Sequence, residues 1–308
     1  SGQQVTVKQF KLLTPDYQAM AQGKVLAKAP FTTQFRAELK GSPNREQLAD
    51  VKANIDGDVN KLTIAAQTTQ PFKSNLNIVF TQLADNPGID ASIDWQRAAW
   101  VVNGFSSISM QQGRAIIKGP LNNYQFSIVT DISGSKIPFG NWSINGSGNY
   151  HSLQIKQLTG ETLGGKLTAN AAIDWQKAIM WQANINAQNI NPGLQWSRWE
   201  GNLNAASTFN GQYNSKQQQL SNHLIVSKLS GNLHKYNLTG QADINLANKQ
   251  LLIKQLSVKL GQNRLNASGQ LAQQWDLNWQ AKLPNLTAIW KHGGGQFNSE
   301  GRIQGSLK

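Results

Sequence analysis

Apolar and polar residues alternate along most of this chain, which is the signature of β-strands with one apolar face and one wet face. In the first half of the stretch Gly164–Leu194, Leu167, Ala169, Ala171, Ile173 and Trp175 fall on one side, and Thr168, Asn170 and Asp174 on the other. After a turn near Gln176–Ala178 the alternation restarts at Trp181, runs through Ala183, Ile185 and Ala187, and stops at the Asn191-Pro192-Gly193 break. The same rhythm recurs in Gly88–Gly104, where Ile93-Asp94-Trp95-Gln96 matches Ile173-Asp174-Trp175-Gln176. It recurs again in Arg264–Leu286, with Trp275 and Trp279 as the paired tryptophans. The pattern predicts a repeat architecture in which each unit is a strand, a tryptophan-marked corner and a second strand.

Elsewhere the runs are similar. Val51, Ala53, Ile55 and Val59 predict one strand, Tyr124, Phe126, Ile128 and Ile132 another, and Leu256, Val258 and Leu260 a third. No sustained apolar spacing of helical period appears. Single helical turns are predicted at Ser42–Gln47, Pro192–Trp199 and Asn285–Trp290. The expectation is an all-β chain of about twenty short strands. The chain is expected to form one elongated β-repeat domain over residues 1–308 with no firm internal boundary.

One-faced strands must bury their apolar side. A flat sheet would expose far more apolar area than soluble proteins tolerate. A sandwich, a closed barrel and a long sheet folded into a trough all solve this problem. About twenty strands stacked at ~4.8 Å favour the trough, because one closed core of that size is unusual. The inward positions Ala91, Ala169, Ala171, Ala183, Ala187, Ala242 and Ala267, with several glycines, leave width between facing walls. The expected fold is therefore an elongated antiparallel sheet curled into a groove with an apolar interior.

Composition adds a charge. The net charge of +13 points to attraction toward acidic partners, but the lysines and arginines are spread singly, without the interleaved aromatics of a strand-binding groove. No nucleic-acid partner is expected. Zero cysteines exclude thiolate chemistry and disulfides. No apolar run reaches the ~20 residues needed to span a bilayer as a helix. Ser1-Gly2 reads as a remnant of excision, and the end at Leu307-Lys308 falls where a strand begins. The chain is expected to be an internal piece of a longer protein.

No catalytic group emerges, so no enzyme activity is expected. Asp94 and Asp174 occupy matching corners and read as turn-capping residues rather than an acid–base pair. His151, His223, His234 and His292 lack ligand spacing, and Gly293-Gly294-Gly295 lacks the lysine of a phosphate loop. No metal or other cofactor is expected. Trp95, Trp175 and Trp275 either seal the edge of each unit or line the mouth of a groove.

Three stretches carry a family resemblance: Leu158–Leu194; Trp199–Tyr213 with Ser230–Ile244; and Leu256–Leu286 followed by Gly301–Lys308. Their ordered recurrence resembles the TamB family of the AsmA-like superfamily. The resemblance implies a taco-like β-groove in the Gram-negative periplasm, with the full-length protein anchored in the inner membrane by an N-terminal helix. It also implies phospholipid movement between the two membranes and an outer-membrane barrel partner of the TamA or BamA type. Acyl chains would then lie against Ile144, Leu153, Ile155, Leu167, Ile173, Ile185, Ile244, Val258 and Leu260. The alternative is a scaffold that assists outer-membrane protein or autotransporter assembly through open strand edges.

Overall fold

A computed structural model describes residues 3–42, 49–101, 107–134, 136–248, 250–290 and 293–306. The helical turn expected at Ser42–Gln47 lies, after its first residue, outside the described residues. The protein is all-β, with twenty strands and three short 3-10 turns in the described residues. Contacts divide it into two compact units, Ser1–Tyr150 and His151–Lys308.

Unit one contains β1 (Gln4–Leu13), β2 (Tyr17–Leu26), β3 (Thr33–Gly41), β4 (Asp50–Gly57) and β5 (Lys61–Gln70). It continues with β6 (Lys73–Thr81), β7 (Gly88–Val101), β8 (Ser107–Pro120), β9 (Tyr124–Gly134) and β10 (Gly140–Gly148). Unit two contains β11 (Ser152–Thr162), β12 (Gly165–Asp174), β13 (Ile179–Ile190), β14 (Gly201–Asn214) and β15 (Gln219–Leu233). It ends with β16 (Tyr236–Ala247), β17 (Gln250–Leu260), β18 (Asn263–Leu271), β19 (Gln274–Leu283) and β20 (Phe297–Ser306). Within each unit every strand pairs antiparallel with its neighbours in sequence, so both units are simple meanders.

The register gathers the alternating apolar positions onto one face, because directly paired residues point to the same side. In unit two one row crosses all ten strands: Ile155, Ala171, Ala183, Phe209, Leu224, Ile244, Ile253, Gly269, Leu277 and Ile303. Unit one has its own: Phe10, Ala21, Ala37, Ala53, Ala66, Leu76, Ile93, Ala115, Ile128 and Ile144. These faces are half-covered rather than sealed. Among the described residues no large side chain is fully buried, and Leu224, Leu265 and Ile303 on the apolar face of unit two are exposed.

Among the breaks in strict alternation, five share one form of β-bulge. An extra residue interrupts the pairing at Val7-Lys8-Gln9-Phe10 in β1 and at Ile155-Lys156-Gln157-Leu158 in β11. The others are Ala187-Gln188-Asn189-Ile190 in β13, Val226-Ser227-Lys228-Leu229 in β15 and Ile253-Lys254-Gln255-Leu256 in β17. In every case the two middle residues are exposed. Two consecutive polar residues therefore face solvent while both flanking apolar residues stay on the inner face. Bulges bend the strand that carries them and raise its twist. Unit two places them on β11, β13, β15 and β17, every second strand, which curls its sheet about the apolar side.

The expected tryptophan repeat is not the structural repeat. Asp174 does cap a turn, its Oδ1 accepting from Gln176 N at 3.1 Å, and Trp175 follows in that turn, exposed. Asp94 and Trp95 instead lie inside β7, which runs on to Val101. Its continuation pairs with β8, Ala98 opposite Met110 and Trp100 opposite Ile108, while Arg97 bulges out at φ 51°. An available partner strand, rather than the Ile-Asp-Trp-Gln string, decides whether the chain turns. The single helical turns expected at Pro192–Trp199 and Asn285–Trp290 are present as 3-10 turns at Pro192–Leu194, Ser197–Trp199 and Leu286–Ala288.

Candidate functional site

Each of the nine residues expected to contact acyl chains sits on the apolar face of its own unit. Ile155 and Ile244 belong to the ten-strand row of unit two, and Ile144 to the row of unit one. Leu153 pairs with Ile173, which in turn pairs with Trp181. Ile185 lies between Ala169 and Ser207. Leu167 and Val258 share a further row through Ala187, Ala205, Leu229 and Gly240. Leu260 pairs with Leu238 and is buried, and the other eight are half-buried. The structure brings eight of them together in unit two and places Ile144 in unit one.

Aromatic rings on this face cover glycines on the adjacent strand. A Cβ built on Gly113 would come within 2.1 Å of the Trp95 ring, one on Gly211 within 2.6 Å of Trp181, and one on Gly301 within 2.8 Å of Trp279. Tyr124 covers Gly148 and Phe35 covers Gly23 in the same way. All five are directly paired residues. Such a ring replaces the side chain that glycine lacks and seals a weak point in the ladder. Trp95, Trp181 and Trp279 are thus the equivalent tryptophans. Trp175 lies in a turn, and nothing lies within 4 Å of a Cβ on Gly305, the partner of Trp275.

An ordered apolar face of this kind can be compared with known families. The family described as "TamB, N-terminal domain" matches residues 1–308. The chain belongs to the TamB family. One relative is the "Translocation and assembly module subunit TamB" of Haemophilus influenzae, 22% identical over 264 residues, covering 84% of this chain and 20% of that protein. The chain thus spans about a fifth of the length of that relative. No solved structure matches it.

In this TamB-family chain, two long connections cover one end of the apolar face of unit two. Asn191–Glu200 joins β13 to β14, and residues 284–296 join β19 to β20. Ala288, in the second connection, is 1% exposed and packs with Leu233, Leu238 and Leu260 at the ends of β15, β16 and β17. Asn285 holds that loop down: its N–H donates to Asn263 Oδ1 at 3.0 Å, its carbonyl accepts from Asn263 Nδ2 at 2.6 Å, and its Nδ2 donates to Tyr236 OH at 3.2 Å. His234, in the β15–β16 turn, stands between the two connections. Its Nδ1 lies 2.9 Å from the Ala288 carbonyl, its Nε2 meets the Arg198 carbonyl, and Trp199 stacks on its ring at 6.4 Å. In the sequence this histidine shows only that it lacks metal-ligand spacing. Its partners are backbone carbonyls far away in the chain, which leave no trace in residue spacing. His234→Ala is expected to free both connections while the strands stay paired. Limited proteolysis should then cut within 284–296 several times faster than in the parent, while the free energy of unfolding changes by no more than about 1 kcal/mol.

The opposite face of the TamB-family sheet is polar and laced with cross-strand pairs. Asn184 Nδ2 donates to Asn170 Oδ1 and Thr208 Oγ1 donates to Asn184 Oδ1, both at 3.0 Å, forming an amide–hydroxyl ladder over β12, β13 and β14. Arg114 pairs with Asp94 at 3.6 Å and Lys118 with Asp90 at 3.2 Å. Arg302 grips Asp276 with two hydrogen bonds of 2.7 Å, which holds the Asp276 carboxyl below its usual range and raises the guanidinium. A concavity of about 650 Å³ in unit one opens on this polar side, with Asp94, Gln96, Arg114 and Asp131 in its lining. Among the described residues no group of three His, Asp or Glu could hold a metal ion, and no helix is long and apolar enough to cross a membrane.

Proposed function

We propose that this chain is a non-catalytic segment of a conduit along which phospholipids pass between the inner and outer membranes. The observation that carries the reading is the row of paired apolar residues crossing all ten strands of unit two, on a face where, among the described residues, no large side chain is fully buried. A soluble protein keeps such a face only when something apolar covers it. Acyl chains suit it: burial of each CH₂ is worth ~0.8 kcal/mol. Rows of similar depth on successive strands give a chain little reason to stop at any one of them. The polar amide ladder on the other face keeps the outside of the sheet wet. No step of this passage needs a catalyst or cofactor from the chain.

On this reading the longer protein resides in the periplasm, anchored in the inner membrane by an N-terminal helix. It works in a translocation and assembly module with an outer-membrane barrel of the TamA or BamA type. A second reading, a scaffold for outer-membrane protein assembly, draws on β1. That strand leaves Val5, Phe10, Leu12 and Leu13 exposed along its length, apolar surface that an extended segment could cover. Native mass spectrometry of the chain from a Gram-negative host separates the two. Co-purifying phospholipid at about one or a few molecules per chain supports the conduit. A lipid-free chain that crosslinks through β1 to an unfolded barrel substrate supports the scaffold and sinks the conduit.

A further inference from the structure

Unit two carries an unusual charge arrangement beside its loop-covered end. Lys259 pairs directly with Arg264, and Arg264 with Lys282, so three cations stand side by side on β17, β18 and β19. All three are exposed on the polar face, one residue from the strand ends. Like charges directly opposite one another destabilise a sheet. Among the described residues no acid pairs with them. The flanking partners in the row are Thr239 and Asn298. The next row inward is Ser257, Asn266, Gln280 and Glu300, and its single acid accepts from Gln280 Nε2 at 3.3 Å.

The loops at the same strand ends expose large apolar side chains. Leu194 and Trp290 are each 65% exposed, Trp199 is 49% and Trp196 is 41%. His234 holds both loops side by side through the Arg198 and Ala288 carbonyls. Across 191–200 and 284–296 the one acidic residue is Glu200. Exposed tryptophan and leucine beside an unrelieved cationic row is the composition of a surface that meets lipid head groups. The cations meet phosphate, while indole rings settle at the boundary between head groups and acyl chains.

We propose that this end of unit two is a peripheral docking surface for an anionic phospholipid bilayer. Lys259, Arg264 and Lys282 supply the attraction, and Trp196, Trp199, Trp290 and Leu194 the shallow insertion. The unfavourable row is then explained, since a lipid phosphate replaces the missing counter-charge. The surface lies at one end of the conduit face, but docking there needs no lipid within that face.

The test is flotation of the chain with vesicles of phosphatidylcholine alone, and with a one-to-two mixture of phosphatidylglycerol and phosphatidylcholine. Binding is expected to the mixture, with a blue shift of tryptophan emission and a decline on adding salt. The combined Lys259→Gln, Arg264→Gln and Lys282→Gln variant should bind roughly a hundredfold more weakly. It should melt at or above the parent temperature, because repulsion has been removed, which separates lost binding from lost folding. Trp290→Ala should reduce the blue shift. Equal binding of parent and variant, or equal flotation with and without phosphatidylglycerol, overturns the proposal. So does a chain that ignores both vesicles, including one that instead captures an acidic protein. Docking without co-purifying lipid would leave this surface standing and sink the conduit, and bound lipid without docking would do the reverse.

Discussion

Deletion of Ser257 is expected to lower the melting temperature of unit two by roughly 6–12 °C, whereas deletion of Gln255, two residues away, leaves it within a few degrees. Both residues are polar members of β17, so composition does not distinguish them. Their places relative to the bulge do. In Ile253-Lys254-Gln255-Leu256 two residues oppose Ser268 alone on β18. Removal of Gln255 makes the strand regular, and Leu256, Val258 and Leu260 all remain inward. The cost is the lost bend, at most about 1 kcal/mol. Ser257 lies in regular pairing with Asn266. Its removal forces a choice, because a shift of one position turns side chains to the opposite face. Either Val258 and Leu260 turn outward, or the bulge resolves and exchanges Leu256 for Gln255 on the inner face. Loss of one or two apolar side chains, or the turning inward of an amide, costs about 3 kcal/mol. Thermal melts followed by circular dichroism decide it, and equal melting of the two deletions would show that the bulge does not set the facing of β17.

How much of this was legible in the sequence follows from what each feature depends on. The strands and their apolar faces depend on a local period of two, so alternation in Leu167, Ala169, Ala171 and Ile173 was enough to place them. The rows across strands required the structure, because bulges and long connections such as Asn191–Glu200 set the register. The matching of Trp95 to Trp175 failed because a string of four residues says nothing about the partner strand. β8 offers Ile108 and Met110 to extend β7, and the chain runs straight through. The glycine-covering pairs Trp95–Gly113, Trp181–Gly211 and Trp279–Gly301 have no common sequence spacing. Each separation depends on how far the pair lies from its hairpin turn. The bulges could have been found, since Ile-Lys-Gln-Leu occurs twice, at 155–158 and 253–256, and Val-Lys-Gln-Phe opens the chain at 7–10. That tetrapeptide is the recurring unit here, and it acts on curvature rather than chemistry. The bridging position of His234 required the fold itself, because it depends on loops separated by most of unit two.

Ile185→Arg is expected to stop lipid passage in the longer protein almost completely, while the otherwise similar Asn184→Arg, one residue away, leaves it unchanged. Ile185 faces inward between Ala169 and Ser207, and Asn184 faces outward on the amide ladder. The two substitutions add the same charge and the same bulk to the same strand, so they differ only in the face that receives them. Small neighbours leave room for the arginine stem, and its head can turn toward the open side of the sheet. Loss of half-buried isoleucine area then costs about 1 kcal/mol, too little to unfold the unit. An acyl chain meeting the guanidinium has no such escape. It must pass a charge that keeps its water, or strip that water at a cost of several kcal/mol. Each further kcal/mol of barrier slows passage several-fold, so even partial desolvation reduces flux by orders of magnitude. Transfer of labelled phospholipid from the inner to the outer membrane, in cells that depend on the longer protein, measures the difference. Impairment by both variants would trace the effect to charge or folding, and impairment by neither would mean that the apolar face is not the path.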